Sequence, residues 1–251
     1  MTKRCCISSF VILCTFALSC VLVYILSMYQ SEPYMDEVFH VRQTLKYIQG
    51  DWKSWDSKIT TPPGLYLIFV SAFRVLDWLN IAPAKLMMIN FRFTSVLFSL
   101  FNHMFILRLL KLTKSNFPNT LALAIITEPV LFFFSALYYT DHCSVLFVIA
   151  SVCFSFQHKT CLSALFLSYA VFTRQSNIVW VPLLMCIRTS LNFSRSLFAN
   201  QRCSSPFWVK KVLNEITSHP VSVAFLVFEN VFRLCLPFVL VLISFLIFVV
   251  F

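Results

Sequence analysis

The feature that most constrains this chain is a series of apolar runs, several of them near membrane-crossing length, with most of the charge confined between them. A hydrocarbon core takes about 20 consecutive apolar residues as a helix, because lipid offers no partner for an unpaired backbone N–H or C=O. The first run is Ile7 to Met28, preceded by Thr2-Lys3-Arg4. Others lie at about 93–110, 119–138, 143–157, 161–173, 176–187 and 233–251, with a weaker one near 221–231. Composition agrees. Charged residues make up 12% of the chain and hydrophobic ones 59%, with mean hydropathy +0.81; a soluble domain carries about 25% charge. Only 2 glycines and no recurring short alternating strands argue against a transmembrane β-barrel. The expected fold is all-α: a polytopic transmembrane helical protein of 7–8 apolar helices, read as one domain over residues 1–251.

Charge sets the orientation. The first run is too long for a signal peptide and no A-x-A site follows it, so it reads as a signal anchor spanning 7–28, its N-terminus cytosolic. Residues 29–62 then form a polar luminal loop. Three basic clusters go to the cytosol by the positive-inside bias: Arg108, Lys111 and Lys114; Lys159; and Arg188, Arg195, Arg202, Lys210 and Lys211 in a loop over 188–220. The segments around Tyr138–Asp141 and Thr173–Asn177 then join the first loop in the lumen. Residues 64–81 carry Arg74 and Asp77 and are expected to lie along the luminal face as an amphipathic helix, since a full crossing would reverse the parity. The net charge of +10 therefore reflects loop topology rather than nucleic-acid binding. The ten cysteines scatter without a C-x-x-C pair, which suits neither a metal site nor a disulfide framework. The sequon Asn192-Phe193-Ser194 falls in the cytosolic loop and predicts no glycan there.

Polar chemistry concentrates early. Five of the ten acids (Glu32, Asp36, Glu37, Asp51, Asp56) lie in the loop after the first run. Adjacent carboxylates such as Asp36 and Glu37 repel, so one tends to hold a proton or a cation, which suits a general base or a metal ligand. First-turn acids that answer a helix dipole give the same pattern. A second patch, Trp55 to Tyr66, ends in Pro62-Pro63-Gly64, a rigid helix entry that also suits a pocket wall at the lipid–water boundary. Arg174, flanked by Gln175 and Asn177, suits a phosphate grip, although an Arg ending an apolar helix commonly snorkels. Tyr138, Tyr139 and Asp141 beside His142 suit a sugar-binding edge, and helix capping explains Thr140 and Asp141 equally well. Arg92, opening a run, reads either as an interfacial anchor or as a second phosphate ligand.

Taken in order, these patches carry a resemblance. Pro33-Tyr34-Met35-Asp36-Glu37-Val38-Phe39-His40, then Trp55-Asp56, Ile59-Thr60-Thr61 and Pro63-Gly64-Leu65-Tyr66-Leu67, resemble the dolichyl-phosphate-glucose-dependent α-1,2-glucosyltransferases of the endoplasmic reticulum. Leu137-Tyr138-Tyr139-Thr140 and Arg174-Gln175 with Asn177-Ile178 extend the likeness, which runs from about residue 20 to 187 and more weakly to 251. Members of that family are roughly twice as long, so the chain is expected to lack their C-terminal half.

The resemblance implies a GT-C-like multi-pass protein of the endoplasmic reticulum membrane with a luminal active site. It implies transfer of the terminal glucose of the N-glycosylation precursor, with dolichyl-phosphate glucose as donor and a dolichyl-diphosphate oligosaccharide as acceptor. An α bond made from a β donor is an inverting displacement, so a carboxylate must take the proton of the acceptor 2-hydroxyl: Asp36 first, Glu37 second. The phosphate leaving group needs cations, for which Arg174 is preferred over Arg92. His40, Tyr138, Tyr139, Asp141, Gln175 and Asn177 complete the expected substrate-binding set. No cofactor, no required metal and no nucleic acid enter this scheme. The competing expectation is an inactive truncated paralogue serving as a membrane assembly or regulatory subunit.

Overall fold

Where Gly is nearly absent and apolar side chains dominate, helix is the conformation that satisfies the backbone within one segment, and every regular element among the described residues is helical. The computed structural model describes residues 2–83, 85–198 and 235–247, together with Phe228 and Phe232. In chain order the elements are α1 (Thr2–Tyr29), α2 (Glu37–Ile48), α3 (Gly64–Trp78), α4 (Met88–Leu112), α5 (Pro118–Ile126), α6 (Pro129–Phe134), α7 (Thr140–Phe156) and α8 (Thr160–Thr173). A 3₁₀ turn (Gln175–Val179), α9 (Trp180–Phe198) and α10 (Cys235–Ile247) follow.

Among the described residues, two helices have the length and apolar character to cross a membrane: Ser8–Tyr29 within α1, and α4. Helices α7, α8 and α10 are apolar but shorter. The outer side of α1 carries Phe10, Leu13, Leu18, Val21 and Met28 in the open, more than half exposed in each case. Such a face is stable only against lipid or another apolar surface. Helices α7 and α8 pack through small residues. Ser151 donates to the Ser163 carbonyl at 2.7 Å and Ser163 returns a bond to the Ser151 carbonyl at 2.8 Å, drawing the two backbones together.

The structure differs from the sequence-based expectation in three places. The run 119–138 is two helices, because Glu128 accepts from the Leu131 N–H at 2.8 Å and Pro129 opens a new helix at its first position. The loop 29–62 contains a helix, α2, with a buried face of Val41, Gln43, Thr44 and Tyr47. Helix α9 continues to Phe198, past residue 188 where a polar loop is expected, so the sequon at Asn192 falls in a helix. The weaker run near 221–231 falls, Phe228 apart, outside the described residues, as do Arg202, Lys210 and Lys211.

Charged and polar groups divide between the two ends of the bundle. At one end Lys111 donates to Ser8, Ser8 to Asn119, and Arg108 to Gln157, joining the start of α1, the end of α4, α5 and the end of α7. At the other end the C-terminus of α1 and the N-termini of α4 and α7 meet α2. Helix α3 runs beside α2 in the same direction: Tyr66 meets His40 near their starts, and Arg74 donates to the Ile48 carbonyl at the end of α2, at 2.7 Å.

Candidate active site

The turn into α2 separates the two adjacent acids. Glu37 is fully buried and ion-paired with the equally buried Arg92. Arg92 Nε donates to one carboxylate oxygen at 3.1 Å and Nη2 to the other at 2.8 Å. The same carboxylate accepts the backbone N–H of Tyr138 at 2.7 Å and that of Tyr34 at 2.9 Å. Arg92 spends its remaining N–H groups on the carbonyls of Gln30, at 2.7 Å, and Glu32, at 3.3 Å, and on the Ser27 hydroxyl at 3.5 Å. One buried pair thus ties α1, α2, α4 and the approach to α7. Buried charges persist only when satisfied in this way. Met35, drawn into the turn, sits at φ 49°, a left-handed conformation that disfavours a residue with a Cβ.

Asp36 points elsewhere. Neighbouring helical residues project about 100° apart, so pinning Glu37 inward leaves Asp36 on the open side. Its backbone N–H donates to the Tyr139 hydroxyl at 2.9 Å. Among the described residues, no side chain donates to the Asp36 carboxylate. It lines a cavity of about 340 Å³ with His40, Tyr139, Asp141 and Arg174. That volume is at the small end of ligand pockets, which run from about 300 Å³ upward. The remaining wall is Phe39, Phe134, Thr140 and the irregular stretch Lys58-Ile59-Thr60-Thr61.

Each wall residue is placed by its element. Asp141 sits in the first turn of α7, and Arg174 ends α8 in an extended conformation that breaks the helix, with its guanidinium on Asp141. The two meet at 2.8 Å and are partly exposed, so the pair is open to exchange with a ligand. His40 is buried against Tyr66, whose hydroxyl lies 2.7 Å from Nδ1, and meets the Tyr139 ring edge to face at 5.6 Å. Burial lowers the His40 pKa below its ordinary value; the carboxylates of Asp36 and Asp141 oppose this, Arg174 adds to it, and Glu37 opposes it. The imidazole is therefore held neutral. Burial likewise raises the Tyr139 pKa and keeps its hydroxyl protonated.

Other candidates lie off the cavity. Tyr138 is buried in the core among Phe69 and Phe91, its hydroxyl 3.0 Å from that of Thr44. Asn177 donates to Ser144 and to the Ala170 carbonyl, each at 2.7 Å, sealing the break after α8. Gln175 is exposed and donates to the Thr60 carbonyl at 3.2 Å, steadying the wall rather than forming it. Of the ten residues expected at the site, five line the cavity. Lys58, Thr60 and Thr61 line it as well, outside the expected set of site residues, although the Trp55–Tyr66 stretch is recognisable in sequence as a pocket wall. No group of three potential metal ligands gathers among the described residues.

A family model described as the DIE2/ALG10 family matches residues 30–251. The chain is 34% identical over 172 residues to a protein of Arabidopsis thaliana named Dol-P-Glc:Glc(2)Man(9)GlcNAc(2)-PP-Dol alpha-1,2-glucosyltransferase, covering 62% of this chain and 33% of that one. A Homo sapiens protein of the same name is 35% identical over 185 residues, 66% of this chain and 38% of its own. A third, from Yarrowia lipolytica, is 33% identical over 174 residues, 63% and 32% respectively. The chain thus matches about a third of the length of these relatives. No solved structure matches it.

Proposed function

Because this chain belongs to the DIE2/ALG10 family, we propose that it carries the base and phosphate-binding side of a membrane glucosyltransferase site. The reaction is transfer of glucose, in α-1,2 linkage, from dolichyl-phosphate glucose to the lipid-linked oligosaccharide precursor of N-glycosylation. The setting is the endoplasmic reticulum membrane, with the cavity facing the lumen. The observation that carries this reading is that Asp36 and Arg174 line one cavity, while Glu37 is withdrawn into a buried ion pair.

In the reaction, the Asp36 carboxylate takes the proton from the acceptor 2-hydroxyl as its oxygen attacks the anomeric carbon. The bond from that carbon to the phosphate oxygen breaks on the opposite face, and dolichyl phosphate leaves with the electron pair. An open carboxylate suits the first role and a guanidinium the second, since negative charge grows on the phosphate as the bond breaks. Neutral His40 and protonated Tyr139 offer hydrogen bonds to sugar hydroxyls at the cavity wall. Glu37 and Arg92 are structural in this scheme, as are Tyr138 and Asn177.

The test is complementation of a glucosyltransferase-deficient cell, read as the number of glucoses on the lipid-linked oligosaccharide. The wild-type chain should restore the terminal glucose. Asp36→Ala should lower transfer by about 10²- to 10⁴-fold at unchanged expression. Near-normal transfer by that variant removes Asp36 from the mechanism, and no transfer by the wild type favours the assembly-subunit alternative.

A further inference from the structure

A leaving phosphate needs more positive charge than Arg174 alone supplies. A phosphodiester carries one negative charge, and the departing monoester approaches two. Arg92 is unavailable, being spent on Glu37 and two backbone carbonyls. Arg174 already shares its charge with Asp141. Resting on the transferase reading, we infer that Lys58 is the second phosphate ligand of this cavity, and that Gln43 is the residue that positions it.

Lys58 lines the same cavity as Asp36 and Arg174. Among the described residues, no carboxylate lies within ion-pair distance of its ammonium. The ammonium instead stands 5.2 Å above the Phe39 ring, a weak contact for an exposed cation and one readily shared with an arriving anion.

The chain around Lys58 has no regular secondary structure, yet side chains hold it at each step. Asp51 accepts the N–H of Lys53 at 3.2 Å and of Ser54 at 3.0 Å, and Asp56 accepts the N–H of Lys58 at 3.0 Å. Trp55 donates to the Ile59 carbonyl at 3.2 Å. Gln43 joins this loop to α2. It is fully buried, donates to the Ser54 carbonyl at 2.8 Å, and accepts the Asp56 N–H at 3.2 Å. A buried amide with both ends bonded to one loop fixes that loop against the helix carrying Asp36. Base and cation are thereby held on one frame.

The ligand chemistry is a phosphate ester on an isoprenoid carrier, and free phosphate is the alternative source of the same contact. The purified chain in lipid nanodiscs separates them by equilibrium binding of citronellyl-phosphate glucose, citronellyl glucoside and inorganic phosphate. Wild type should bind the phosphate-bearing lipid in preference to both others. Lys58→Met should weaken it roughly tenfold, the worth of one charge-assisted hydrogen bond, while the glucoside is bound as before. Lys58→Arg should stay close to wild type. Gln43→Ala should weaken the phosphate probe selectively and add nothing in the Lys58→Met background, as required of a residue that acts through Lys58.

Wild-type binding by Lys58→Met overturns the assignment of Lys58 while leaving the transferase reading in place. Equally poor binding by Lys58→Arg and Lys58→Met overturns charge as the cause. Loss of both lipid probes in Gln43→Ala overturns the positioning role. A wild-type chain with no preference for the phosphate-bearing lipid, or one that takes inorganic phosphate equally well, overturns the transferase reading and this inference with it.

Discussion

At the scale of the residue, Asp36 and Glu37 stand side by side in sequence and have opposite environments. Glu37 is sealed with Arg92, and Asp36 is open to the cavity. Removing one member of a buried pair leaves the other charge unsatisfied, which costs about 3–5 kcal/mol. Glu37→Gln should therefore lower the thermal unfolding midpoint and the yield of folded protein, whereas Asp36→Asn should leave both near wild type. Differential scanning fluorimetry in detergent distinguishes these outcomes, and equal stability of the two variants would contradict the structural assignment of Glu37. His40 makes a second prediction. Its pKa is lowered by burial from 6.5, so below that pH the unfolded chain takes up a proton that the folded one refuses. The stabilisation from neutral His40 is present above about pH 6.5 and is lost as pH falls below it. The wild-type midpoint should drop over that interval, and His40→Gln should flatten the drop.

At the scale of the element, the cavity depends on how α3 meets α8. Gly64 opens α3 against the last turn of α8: an added Cβ would lie 2.7 Å from the Phe172 carbonyl oxygen and 2.9 Å from Thr173 Oγ1. Both are too close for a carbon. The Tyr169 hydroxyl further ties the Gly64 carbonyl to α8 at 2.9 Å. Gly64→Ala should push the helices apart and cost about 1–3 kcal/mol, as overpacking does. Because Arg174 follows that turn directly, the variant should also weaken binding of citronellyl-phosphate glucose, while a midpoint equal to wild type would show that the junction yields without strain. The helical segments themselves are legible in the apolar runs. The break at Glu128-Pro129 is a cap followed by a proline, but the apolar residues on either side hide it and make 119–138 read as one run. Helix α2 is harder to read, since half of its face is polar and its burial comes from partners distant in the chain.

At the scale of the whole molecule, polar groups gather at the two ends of the bundle: Arg108 and Lys111 at one, and Asp36, Glu37, Arg92, Asp141 and Arg174 at the other. The Lys111 end and the Asp36 end are joined by α1 and α4, the two helices among the described residues long and apolar enough to cross a bilayer. Helix α3 runs beside α2 in the same direction, and both are expected to lie along one face of the membrane rather than cross it. Cysteines placed at Trp52 and at Lys114, in a chain whose exposed native cysteines are replaced by serine, should react with impermeant maleimide from opposite sides of sealed microsomes. Labelling of both from one side would reject this arrangement.

The sequence by itself determined the helical class, the apolar segments and the patches of polar residues that meet at the cavity, because hydrophobic periodicity and charge placement are local properties of a chain. Which polar residue faces inward was decided by tertiary structure alone. Asp36 and Glu37 have the same chemistry in one dimension, and only the arrival of Arg92 and the Tyr138 N–H from remote segments selects the one to be buried. Lys58 shows the converse. Its charge is unremarkable in sequence, and it gains a place on the cavity through a buried amide 15 residues earlier, at Gln43, whose two hydrogen bonds exist only once the loop has folded back onto its helix.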